Sequence, residues 1–203
     1  MRKSIPFYAL AGLLIFAACS KSTDSPVVPP AAGDPKKGST WTFKFTYYNE
    51  AGTVTGTNNQ SFVADTMTVS GSQWTILEES TTGQAVIGIQ KRADGWWWIP
   101  FPNTTPSLWF KSPASVGDKY NYNISDFTVD TSKVRNIAAT VTVPAGTYTG
   151  CTFIQSFDTN SMEDEWYFVP TGPVLVRTST FDNRSAGPGE FEKQRSELVS
   201  YTQ

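Results

Sequence analysis

The sequence predicts an all-β protein: a single antiparallel domain of about nine to eleven strands, folded as a strongly curved sheet or open barrel. Three observations carry this expectation. Apolar and polar residues alternate with a period of two in run after run beyond residue 39. Turn signals built on Gly, Pro, Asn and Asp separate the runs at regular spacing. Helical periodicity is scarce, and enrichment in aromatic residues, Thr and Val suits a pleated, half-buried surface.

Thr40 to Tyr48 is the clearest strand, with Trp41, Phe43, Phe45 and Tyr47 on one face and Thr42, Lys44, Thr46 and Tyr48 on the other. Glu50-Ala51-Gly52 turns into a Thr- and Gly-rich stretch, and the period returns at Ser61 to Val69 and at Gln73 to Ser80. Thr82-Gly83 leads into Ala85 to Lys91, and Ala93-Asp94-Gly95 is a hairpin signal before Trp96 to Ile99. Pro100, Pro102, Pro106 and Pro113 then break the pattern, so residues 100 to 117 read as a long connection carrying a short apolar piece, Leu108-Trp109-Phe110. Further strands are expected at Lys119 to Asn123, Val134 to Val143, Tyr148 to Phe157, Glu165 to Val169, Val174 to Asp182 and Arg195 to Tyr201. Phe191 to Leu198 has helix-forming residues, and its ending alternates equally well as a strand.

Ahead of this domain, Arg2 and Lys3 precede an uncharged apolar run from Ile5 to Ala18. That is the order of a secretory signal. As a helix at about 1.5 Å per residue the run reaches roughly 21 Å, short of a hydrocarbon core of about 30 Å. Ala17-Ala18-Cys19 resembles the lipobox of bacterial lipoproteins, with Phe16 where that family usually has Leu, Val or Ile. The resemblance implies cleavage before Cys19 and acylation of its sulfur, hence attachment to a lipid bilayer, with a diacylglycerol and palmitate-type chains as anchor. Residues 19 to 38 carry Pro26, Pro29, Pro30 and Pro35 and almost no large apolar side chain, so they read as a disordered tether. Residues 39 to 203 then form the single β domain. Ser20 after the Cys resembles cargo sent to the outer membrane of Gram-negative bacteria. The leaflet stays open.

Without the leader, 14 Lys and Arg face 18 Asp and Glu, a formal charge of −4 that disfavours nucleic acid as a partner. Of 28 aromatic residues, Phe7, Tyr8 and Phe16 lie in the leader, leaving 25 for the domain. With Cys19 committed to lipid, Cys151 has no partner for an intrachain disulfide and reads as a small buried hydrophobe.

Val141-Thr142-Val143-Pro144-Ala145-Gly146-Thr147-Tyr148, followed by Cys151 and Phe153-Ile154, resembles uncharacterised envelope lipoproteins of the DUF3108-like group, common in Bacteroidetes. Trp166-Tyr167, Pro170, Gly172, Val174-Leu175-Val176 and Glu197-Leu198-Val199-Ser200-Tyr201 look like that group's closing strands, in the same order. The resemblance implies a mostly antiparallel β fold related to open half-barrels, with no catalytic residues to carry over. On physical grounds Pro144 fixes φ at a strand exit and Gly146 permits a positive φ, so the motif makes a tight turn.

The chain has no His, which excludes His-dependent triads and His-bearing metal sites. No Ser lies three positions before a Lys, and no Gly-rich phosphate loop occurs. Glu78 and Glu79 are adjacent on an expected strand and point to opposite faces. Asp158 to Glu165 is rich in oxygen ligands without the spacing of a calcium loop, and reads as a solvated hairpin tip. No cofactor and no enzymatic activity are expected. Asp65-Thr66-Met67 resembles the acceptor of Bacteroidetes O-glycosylation, which makes Thr66 a candidate modification site.

The remaining constellation is Trp96, Trp97 and Trp98 with Phe101 and Trp109. Alternation puts Trp96 and Trp98 on one side and Trp97 on the other. Either these rings pack the core and lie beneath residues 100 to 117, or they form a platform or cavity mouth for a ligand. The expected function is a non-enzymatic anchored domain that binds an apolar or amphipathic envelope ligand. The alternatives are a surface module that stacks glycans on Trp97 or Trp109, and a structural component of an envelope complex. An interior cavity lined by the rings favours lipid, and an exposed flat row favours sugar.

Overall fold

The computed structural model describes residues 34–103, 105–125, 128–157, 162–170, 172–182 and 191–203. Twelve strands form one antiparallel sheet: β1 (Thr40–Tyr48), β2 (Val54–Val69), β3 (Ser72–Glu79), β4 (Ala85–Arg92), β5 (Gly95–Pro100), β6 (Ser107–Lys111), β7 (Lys119–Ser125), β8 (Thr128–Val143), β9 (Gly146–Phe157), β10 (Met162–Phe168), β11 (Leu175–Asp182) and β12 (Phe191–Thr202). No helix occurs among the described residues. Every strand pairs with its neighbours in sequence except β6 with β7, and β12 returns to pair with β1, giving the order β6-β5-β4-β3-β2-β1-β12-β11-β10-β9-β8-β7. The sheet is an up-and-down meander curled into a nearly closed barrel.

The all-β expectation holds, with one strand beyond the expected range. The extra strand is β6: the Leu108-Trp109-Phe110 piece, read as part of a connection, pairs with β5 from Gly95↔Lys111 to Trp98↔Ser107. Six residues between Pro106 and Pro113 are too few to display a period, so the pairing edge of β5 decides their structure. The Phe191 to Leu198 stretch is strand, because β1 and β11 offer it ladders on both sides. Likewise β2 starts at Val54, seven residues before the expected Ser61, since the exposed Thr- and Gly-rich stretch completes the ladder to β1. The domain also gains Asp34 to Gly38, assigned above to the tether. Gly38 donates its N–H to the Ala64 carbonyl at 2.8 Å, and Lys37 pairs with Asp65 at 2.7 Å.

The barrel's two end strands, β6 and β7, meet without a hydrogen-bonded ladder. Side chains join them instead: the Tyr120 hydroxyl donates to the Trp109 carbonyl at 3.0 Å, and Lys111 lies 3.1 Å from Asp118. Elsewhere the β8–β9 hairpin breaks register three times between Val134 and Val141, which bends it. Gly146 has the positive φ expected of it, 128°, and Ala145 donates its N–H to the Leu198 carbonyl at 3.0 Å. The Pro-Ala-Gly turn is thus both a tight reversal and a clasp onto β12. It brings Val141, Val143, Tyr148 and Cys151 against Trp41, Val176 and Leu198 in one buried cluster.

An eight-stranded barrel is just filled by its own side chains, and diameter grows with strand number. Twelve strands need larger fillers, which is where the aromatic surplus goes. Rings from β5 and β6 meet rings from β10: Phe110 stacks on Phe168 at 4.3 Å, and Trp98 and Trp109 both reach Trp166, at 6.2 and 6.1 Å. A smaller cluster of Trp74, Ile76 and Ile99 lies on the other face of the sheet.

Gly95 shows how tightly β5 and β6 are joined. Its φ is 147°, and a Cβ there would sit 2.3 Å from the Phe110 carbonyl oxygen. Gly95→Ala is expected to lower stability by about 1–3 kcal/mol through strain at this position, read as a drop in the urea midpoint. An unchanged midpoint would show that the β5–β6 junction yields freely.

Candidate functional site

The register of the sheet places the site. Residues directly opposite each other share a face, and the pairs Trp41↔Phe62, Phe45↔Ser196, Ser196↔Thr178 and Leu77↔Ile87 all project into the barrel. Between them lies a cavity of about 190 Å³. Trp41, Phe43 and Phe45 of β1 form one wall, with Phe62 of β2 beside them. Leu77, Val86 and Ile87 of β3 and β4 form the second, Pro173 and Leu175 border it from the β11 side, and Trp109 of β6 closes it toward the aromatic cluster. Val86 is 38% exposed and marks the rim.

Ten of the twelve lining residues are apolar; the exceptions are Thr178 and Ser196, whose hydroxyls lie 2.6 Å apart. None is charged. The charged neighbours in sequence, Arg177 and Glu197, face each other across β11 and β12 on the opposite side of the sheet, where Arg177 lies 4.7 Å from the Tyr167 ring. On β8 and β9, Ser132 and Ser156 bond each other at 2.8 Å, and both are buried. Trp109 carries a buried indole N–H with no hydrogen-bond partner among the described residues. Such an arrangement solvates hydrocarbon, offers a few hydrogen bonds, and compensates no ionic group.

The expected aromatic constellation divides among three environments. Trp109, 6% exposed, lines the cavity and stacks on Trp98 at 5.5 Å, nearly parallel. Trp98 and Trp96 are buried behind it; the Trp98 indole N–H donates to the Ser107 hydroxyl at 2.9 Å, and Trp96 stacks on Phe110. Trp97 and Phe101 point the other way and pack on Trp74, Ile76 and Ile99. Gly88 leaves room for Ile76 there, since a Cβ on Gly88 would come within 3.2 Å of the Ile76 Cδ1. The Arg92 guanidinium sits 4.1 Å from the Trp97 ring, and the Trp97 N–H donates to Asp94 at 2.8 Å.

Sequence reasoning missed the other eleven lining residues, among them Phe43, Phe45, Phe62, Leu77, Ile87 and Leu175. The period-two face of Thr40 to Tyr48 already carried the first two. The others just named are ordinary strand hydrophobes that no sequence signal separates from core.

Thr66 lies exposed on β2, its N–H bonded to its neighbour Asp65 at 2.6 Å. Cys19 lies outside the described residues, as do residues 158 to 161 of the acidic tip. The rest of that tip forms β10, where Asp164 accepts from the Thr180 hydroxyl at 2.6 Å and Glu165 lies 3.8 Å from Arg177.

Cys151 is fully buried in the cluster under the β8–β9 turn, and burial pushes its thiol up from an ordinary value of 9.0 to about 11. The folded state holds this proton more tightly than the unfolded chain does. Its contribution to stability is therefore complete below about pH 9 and lost as pH rises toward 11. The urea midpoint should fall across that window, less steeply in Cys151→Ala; Tyr148, also raised by burial, keeps part of the slope in the variant. At pH 8 a thiol reagent should leave Cys151 unlabelled in native protein carrying Cys19→Ala, and rapid labelling would contradict the burial.

Comparisons with protein-family models, with curated proteins and with solved structures found no match to this chain.

Proposed function

We propose that this is a bacterial envelope lipoprotein of the DUF3108-like kind, anchored through acylated Cys19, whose barrel takes up the apolar part of an amphipathic ligand without catalysing a reaction. The observation that carries the ligand reading is the cavity itself. Its walls are ten apolar side chains, several of them large rings, that leave space open where a packed core would close it. A sugar-stacking module needs an open aromatic face, and here Arg92 sits on Trp97 while Trp109 is 6% exposed. The signal-like leader, the Ala17-Ala18-Cys19 sequence and the proline-rich tether support the anchor and an outer-membrane destination in a Gram-negative cell.

The ligand reading is tested by titrating the protein with toluene, a neutral apolar compound of one ring, with binding followed by calorimetry. Saturable binding at one toluene per chain is expected, and no binding would end the reading. The anchor is tested separately, in a Gram-negative host. Cys19→Ala should move the protein from the membrane fraction to the soluble one, with loss of the acyl mass; a variant that stays membrane-bound would refute acylation at this residue.

A further inference from the structure

On the footing that the barrel holds an apolar ligand, we infer that this ligand is an uncharged single-chain amphiphile, such as a neutral alcohol or ester, seated with its oxygen at Thr178 and Ser196.

Size limits the number of chains. A cavity of roughly 150 Å³ lined by hydrocarbon admits one benzene ring, and the space here is about 190 Å³. It accommodates one ring or a segment of one acyl chain. A two-chain lipid does not fit.

Orientation follows from the gradient along β1. Trp41 and Phe43 are buried, Phe45 is partly buried, and Tyr47 is 37% exposed. Ser196 stands opposite Phe45, so the hydroxyl pair sits on the outward side of the deepest apolar residues. A tail directed toward Trp41 and Phe43 leaves its polar end at Thr178 and Ser196.

Head-group charge is decided by what the walls lack and supply. Two hydroxyls hold two donor hydrogens and spend one on the bond between them, leaving one O–H to donate and lone pairs to accept. That matches an ester carbonyl or an alcohol. A carboxylate or ammonium head would leave water with no counter-charge among the twelve lining residues, because Arg177 and Glu197 stand opposite each other on the other face of the sheet.

The test uses the full chain carrying Cys19→Ala, so that no acyl chain of its own competes. It is titrated with 1-octanol, octanoate and octyltrimethylammonium at pH 8, with binding followed by calorimetry. Binding of 1-octanol at one per chain, at least tenfold tighter than either ion, is expected, and octanoate should gain affinity as pH falls from 8 to 5 and its head group protonates. Equal affinities for the alcohol and an ion would overturn the neutral-head inference and leave the apolar-ligand reading standing. If no octyl compound binds, both fall together. As a second arm, Thr178→Val with Ser196→Ala should shrink the preference of 1-octanol over octanoate severalfold in a protein that melts normally. An undiminished preference there would remove the hydroxyl pair from the role.

Discussion

Phe168→Ala is expected to destabilise the domain by about 3–5 kcal/mol, the largest effect of any single truncation considered. The ring has no exposed surface, stacks on Phe110 at 4.3 Å and receives the edge of Trp109 at 5.0 Å. It links β10 to β6, strands that share no ladder, so its loss removes buried area and also one of the ring contacts that hold the barrel's two halves together. For a domain of this size about 2–4 °C of melting temperature goes with each kcal/mol, so a drop on the order of 10 °C should appear in a thermal melt. A drop of only a degree or two would mean that the rings do not form a rigid core.

Leu77→Trp is expected to abolish ligand uptake while preserving the fold. Leu77 is partly buried and projects into the cavity opposite Ile87, so a larger side chain there grows into empty space instead of into packed neighbours. Filling a void of this kind tends to be neutral or stabilising. The affinity for 1-octanol should fall at least tenfold, with a melting temperature within about 4 °C of the parent, which corresponds to roughly 1–2 kcal/mol. Leu77→Ala, which enlarges the space, should lower stability and retain binding. If the Trp variant binds as well as the parent, the ligand sits elsewhere.

Much of the architecture was legible in local pattern, because a strand with one face in a barrel must alternate. Thr40 to Tyr48 announced β1 to the residue, and the Trp96-Trp97-Trp98 alternation assigned the three rings to their observed sides. What escaped was set by distant pairing. The Leu108-Trp109-Phe110 segment is a strand because β5 templates it, and Val54 to Gln60 is strand because β1 needs a partner, although neither segment alternates.

The site was less legible for a related reason. Trp97 and Trp109 look equivalent in sequence, but the sheet's curvature sends one outward beneath Arg92 and the other inward to the cavity. Whether a Leu or Phe fills a lumen or borders an opening depends on how far twelve strands spread the walls. No single strand records that distance.

Contact quenching by 8-bromo-1-octanol reads the cavity directly, because bromine quenches only rings it touches and Trp41 and Trp109 both line the space. Quenching should saturate at one ligand per chain and shrink markedly in Trp109→Phe. Quenching that rises linearly without saturation, and equally in the parent and in Trp109→Phe, would contradict a ligand site inside the barrel.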